Sequence, residues 1–299
     1  MILLSFVTIA LNLSLNTADL HNASYFSPFV WWQENHASNS YKEVKVRYNS
    51  VKKVPRKYRT PKRSLLNEFN NLTLHPGTSY NRDSNASEQT EAHCKELVEQ
   101  TLSALPREHA NYLRDLTLYY TNTGLRGLAG GSTMILRCKN ISDQEFTAVM
   151  IHEMGHVVDT GLKKGYSYSG ISNFRDGGSP IYKDDPSVQF YGISFENSAG
   201  KKRSATDADF VSGYAKTDPF EDFAESYNYY VTQGDSFRYL AKNNEALAKK
   251  YDYLKNTIFY GKEFGTGAKE TANSKRPYDT TKLAYSLNDF LRNPYFAKQ

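Results

Sequence analysis

Apolar residues recur along this chain at two spacings, and the switches between them mark out its elements. In SEQTEAHCKELVEQTLSAL (87–105), Cys94, Leu97, Val98 and Leu102 fall at i, i+3, i+4 and i+8, which predicts a helix stopped by Pro106. LRDLTLYYTN (113–122) follows, with Leu116, Leu118 and Tyr120 alternating as in a strand buried on one face. GLRGLAGG (124–131) reads as a glycine-rich turn, and STMILRC (132–138) as a second strand with Met134, Leu136 and Cys138 on one side. Helical spacing then returns in Phe146, Val149, Met150, Val157 and Val158. Ser142, with Glu145 three residues on, predicts a capping box at the start of this helix, and Gly161 and Gly165 predict its end.

Further along, Asp218 is a good N-cap and Pro219 suits a first helical position, so another helix is expected from there. SFRYLAKNNEALAKKYDYLKNTIF, after Gly234, reads as helical and as a buttress for that helix. Residues 165–212 form an insert between the two motifs described below, expected as a flap or an extra hairpin beside a cleft. Strands and helices are thus mixed without βαβ regularity, which predicts an α+β domain over 88–265. Residues 266–299 read as a C-terminal tail, and 21–87, rich in Pro, Asn and Ser, as a tether.

Charge divides along the same line. The net charge is +5, yet Lys42 to Arg63 carries ten Lys/Arg against the single acid Glu43. The basicity belongs to the tether, where residues 42–63 suit contact with an anionic cell surface or simply a solvated linker. Specific nucleic-acid recognition is not expected. MILLSFVTIALNLSL at the N-terminus is apolar and free of charge, too short for a confident membrane span but fitting a signal peptide or short anchor over 1–20. That predicts a secreted or membrane-anchored protein. Cys94 and Cys138 would then form a disulfide or remain two buried thiols; the sequence leaves both open.

The chemistry is concentrated in MIHEMGHVVDTG (150–161). His152 and His156, four apart, project from one helix face and can reach a single ion, while Glu153 stands beside the first imidazole where a bound water would sit. The alternative is a structural helix whose histidines are satisfied by hydrogen bonds. A catalytic zinc needs a third ligand and one open position. GYAKTDPFEDFAESYNYYV (213–231) offers Glu221 as that ligand, with Glu225 one turn on to accept a hydrogen bond from a liganding imidazole. Glu221 also lies three residues after Asp218, so it could be a capping-box residue, which would leave Glu225 as the ligand. Asp159 could orient a neighbour of the ligands or be a solvated acid at the helix end. STMILRC, if it lies at a sheet edge, could pair with an extended peptide.

HEMGHVVD followed by YAKTDPFEDFAES resembles the gluzincin metallopeptidases, in particular the anthrax lethal factor catalytic domain and the bacterial Pro-Pro endopeptidases. The matching residues are His152, Glu153, His156, Asp159, Tyr214, Glu221 and Glu225, and Tyr214 precedes Glu221 by seven, as in those families. The resemblance implies a zincin-like fold with a small sheet, an HExxH helix and a third-ligand helix. It further implies a Zn2+ ion held by His152, His156 and Glu221, general-base action by Glu153 and transition-state assistance by Tyr214. The expected function is zinc-dependent cleavage of a polypeptide substrate. Hydrolysis of another amide, such as cell-wall peptide, and a non-catalytic binding protein using the basic segment are the rival readings. The long insert is a departure from the compact family pattern, so substrate preference does not carry over.

Overall fold

The computed structural model describes residues 72–76, 88–122, 124–265, 276–292 and 294–295. The expected leader, residues 1–20, and the basic run at 42–63 lie outside the described residues. Among the described residues no helix is long and apolar enough to cross a membrane.

A four-stranded sheet in the order β1-β2-β4-β3 forms one wall of the domain. β1 (Thr73–Pro76), β2 (Asp115–Tyr119) and β4 (Thr133–Arg137) run parallel, and β3 (Gly127–Gly130) returns antiparallel to β4 at the edge. The alternation in β2 and β4 has the expected consequence: Leu116, Leu118, Met134 and Leu136 are buried while the residues between them are partly exposed. Two expectations change. GLRGLAGG is not merely a turn, because Gly127–Gly130 finds hydrogen-bond partners along β4. β3 therefore takes the edge, and STMILRC is an interior strand. The tether boundary also moves, since Thr73–Pro76, inside the segment read as tether, pairs with β2.

α1 (Glu88–Ala104) and α2 (Arg107–Tyr112) lead into β2, and α3 (Asp143–Val157) follows β4. Cys94 on α1 and Cys138 just after β4 form a disulfide, which settles the question the sequence left open. Ser142 caps α3 by accepting from the Glu145 N–H at 3.2 Å. The capping box stays half formed, because the Glu145 carboxylate goes instead to Arg126, 3.2 Å away, and to Lys282. α3 does not end at once at Gly161; a π-turn, Val158–Leu162, extends it.

The insert holds a hairpin, β5 (Ile171–Asp176) with β6 (Ser179–Tyr182), then α4 (Ser187–Ser194) and a small second hairpin, β7 (Phe195–Asn197) with β8 (Gly200–Lys201). α5 (Pro219–Thr232) starts as expected, with the Asp218 carboxylate accepting from the N–H groups of Phe220 and Glu221 at 2.9 Å each. The helical stretch after it divides into α6 (Gly234–Ala241) and α7 (Glu245–Tyr253), because Asn244 begins a new helix by capping the Leu247 N–H at 2.8 Å. Finally, the segment read as a tail contains a 3₁₀ turn, Thr280–Lys282, and α8 (Leu287–Arg292), both packed onto the domain with Phe290 in the core.

α3 and α5 cross closely, and a glycine makes this possible. A Cβ at Gly155 would stand 2.8 Å from the Ala224 Cα, closer than side chains approach backbone. The glycine within HEMGH is thus where the two helices touch, next to His156 on one helix and facing Ala224, the neighbour of Glu225, on the other.

Candidate metal centre

α3 presents His152, Glu153 and His156, and α5 presents Glu221 and Glu225 across the crossing. The capping alternative for Glu221 does not hold. Its backbone N–H is capped by Asp218, but its side chain leaves the helix end and turns to the imidazoles. Glu221 Oε2 lies 3.2 Å from His152 Nε2 and 3.5 Å from His156 Nε2. It nevertheless accepts no well-directed hydrogen bond, although it is fully buried. A buried carboxylate oxygen without a directed donor is costly. Three donor atoms from His152, His156 and Glu221, all within 4.8 Å of one another, could hold a metal ion, and this donor set fits one.

Glu225 takes the supporting place. His152 Nδ1 donates to its Oε1 at 3.0 Å, leaving Nε2 directed at Glu221. Thr280 holds the other side of this carboxylate: its N–H donates to Oε2 and its hydroxyl to Oε1, each at 2.9 Å. Asn228 Nδ2 donates to the Thr280 hydroxyl at 2.8 Å. Thr280 and Asn228 had no sequence signal. DTTK reads locally as an Asp-capped turn, and nothing in its spacing points to a glutamate 55 residues earlier.

The charges respond strongly to burial. For His152, burial opposes the imidazolium, but Glu221 and Glu225 outweigh it and hold the pKa well above the ordinary histidine value. His156 is raised in the same way, burial being overcome mainly by Glu221. Burial works against the Glu221 carboxylate too, and the two imidazoles overcome it, driving its pKa far below the ordinary range. Glu153, almost wholly buried, is raised by burial, with the imidazoles opposing. Its carboxylate lies against β3, where any side chain in place of Gly127 would collide with it.

Tyr214 stands in a short 3₁₀ turn, Tyr214–Lys216, its ring stacked on His152 with centroids 6.0 Å apart. Burial and then the charge of Glu221 raise its pKa well above 10, so its hydroxyl keeps its proton. Asp159 is buried, which excludes the solvated-acid reading. Its Oδ1 accepts from the Tyr191 hydroxyl at 2.6 Å, tying the turn after α3 to α4 of the insert. At the end of β5, burial raises the Asp176 pKa, and the charge of His156 opposes it.

The sequence-predicted residues His152, Glu153, His156, Tyr214, Glu221 and Glu225 are therefore brought to one place, and Asp159 is turned aside to Tyr191. No protein-family model, curated protein or solved structure matches the chain.

Proposed function

We propose that this protein is a zinc-dependent endopeptidase of the gluzincin type, acting on a polypeptide. The observation that carries the reading is the single oxygen of Glu221, brought from a separate helix to both Nε2 atoms without a directed hydrogen bond. Donors about 2.0–2.2 Å from one tetrahedral zinc stand roughly 3.3–3.5 Å apart. The separations of 3.2 and 3.5 Å suit that arrangement. Two imidazoles and a carboxylate are also a donor set that zinc accepts in catalytic sites.

His152, His156 and Glu221 would hold the ion, which when bound supplies Lewis acidity, lowering the pKa of a bound water toward neutrality and polarising a carbonyl. The remaining work falls to the chain. Glu153, pressed against Gly127, is placed to take a proton from an attacking water and return it to the departing amine. Tyr214 keeps its hydroxyl proton and can donate it in a hydrogen bond to the oxyanion, where charge develops only in the transition state. Glu225 fixes the imidazole of His152. Among the described residues β3 is the edge of the sheet, and its Gly127 lies against Glu153, so an extended substrate could pair with its backbone and lie across the site. The disulfide supports an exported protein, since such bonds persist in oxidising compartments.

A mixed-peptide library tests the activity. The zinc-loaded wild type is expected to cleave it, and Glu153→Gln, which keeps every ligand, to lose roughly 10²–10⁴-fold in rate with zinc content unchanged. Equal cleavage by the two proteins would remove Glu153 from the reaction. A zinc-loaded wild type that cleaves no peptide would overturn the endopeptidase reading.

A further inference from the structure

The segment 276–283 touches the turn carrying Tyr214, the Arg126 side chain and the Glu225 carboxylate from outside the set of ligands. Its backbone carbonyls at Pro277 and Tyr278 accept from the N–H groups of Gly213 and Tyr214 at 2.8 and 2.7 Å, which fixes the turn carrying Tyr214. Asp279 accepts from Arg126 Nη2 at 2.6 Å, and Arg126 immediately precedes Gly127, the residue against Glu153. Arg126 Nη1 also donates to the Thr281 hydroxyl at 2.7 Å. Between these two anchors sits Thr280, on the Glu225 carboxylate.

Counting donors assigns the protons. The Thr280 hydroxyl receives a hydrogen from Asn228, so its own single hydrogen is free for Glu225 Oε1. The Thr280 N–H occupies Oε2. Glu225 then meets three donors, counting His152, and acts as an acceptor only. When neutral, His152 therefore keeps its one proton on Nδ1, facing Glu225, and it is the Nε2 lone pair that is left for an ion. An unheld Glu225, free to rotate, would leave that tautomer unselected.

We infer that the segment 276–283 is a built-in part of the metal centre, with Thr280 a positioning residue that fixes the His152 tautomer through Glu225. Arg126, through Asp279, latches the segment in place. This rests on the reading of His152, His156 and Glu221 as metal ligands. Loss of the group bonded directly to a ligating imidazole commonly costs about 10–100-fold in metal affinity, and Thr280 acts one contact further out, through Glu225.

The experiment measures zinc affinity of the full-length protein by competition with a chromophoric chelator at fixed pH, beside the absorption spectrum of the cobalt-substituted protein. Thr280→Val keeps the backbone N–H and the shape but removes the hydroxyl. Its zinc affinity is expected to fall about tenfold, the low end of that range, with an altered cobalt spectrum, while Thr280→Ser restores both. Arg126→Met, at a partly exposed side chain, is expected to weaken zinc in the same direction through the latch, and it decides the matter should Thr280→Val not fold. Wild-type affinity and spectrum in folded Thr280→Val, or in Arg126→Met if the first does not fold, would overturn the inference. A wild type that binds no zinc would instead sink the reading beneath it.

Discussion

Glu221 and Asp222 are sequence neighbours on α5, both buried, and they are neutralised in opposite ways. Asp222 meets Lys250 of α7, whose Nζ lies 2.6 and 2.9 Å from its two oxygens, both side chains having no solvent exposure. Lys250 also donates to the Asp209 carbonyl at 2.8 Å and stands 4.1 Å from the centre of the Phe210 ring. On that face the acid meets an ammonium of the chain itself, whose remaining hydrogens reach the Asp209 carbonyl and the Phe210 ring. On the other face Glu221 meets imidazoles, which are neutral bases unless protonated, and Glu153 is buried nearby. An ammonium supplied by the chain and paired at both oxygens makes a carboxylate structural. Imidazoles leave the choice of cation to the solution, and a metal ion can then compete with protons for the same lone pairs.

The largest expected effect breaks the structural face. Lys250→Met should destabilise the protein by about 3–5 kcal/mol in urea unfolding, because Asp222 is left buried without its partner. The double change Lys250→Met with Asp222→Leu should recover much of that loss. Zinc stoichiometry of the folded fraction should stay that of the wild type. A single variant as stable as the wild type would show that the pair does not hold α5.

A smaller effect sharpens the contrast between buried imidazoles. His109 also packs against α5, its Nδ1 accepting from the Tyr227 hydroxyl at 2.8 Å and its Nε2 donating to the Ile258 carbonyl at 3.0 Å. With both nitrogens satisfied by neutral partners, burial pulls its pKa down to about 3. The unfolded chain therefore takes up this proton first. The contribution of His109 is fully present above about pH 6.5 and is lost toward pH 3, at up to about 1.4 kcal/mol per pH unit. His109→Gln should flatten the acid side of the stability profile by that increment, measured as the difference from wild type across the same pH series. Parallel profiles would mean that His109 does not titrate with unfolding.

What could be read from the sequence was what local spacing encodes. The four-residue step from His152 to His156, the Asp218-Pro219 helix start and the alternation in β2 and β4 each depend on neighbours only, and each is where it was expected. What escaped depends on distant partners. Gly127–Gly130 has no strand alternation; it is a strand because β4 supplies hydrogen bonds, and Gly127 is small because Glu153 lies against it. The Glu145 carboxylate leaves its expected cap because Arg126 and Lys282 compete for it. Residues 276–283 looked like tail because their partners, Arg126, Tyr214 and Glu225, are all remote in sequence.

The most direct measurement is a zinc titration of the metal-free protein and of Glu221→Gln under identical conditions. The wild type should bind one equivalent with its affinity dependent on Glu221, so that the variant is weaker by more than the roughly hundredfold typical of losing an outer partner. Equal binding by the two proteins, or no uptake by the wild type, would contradict a metal centre built from both helices.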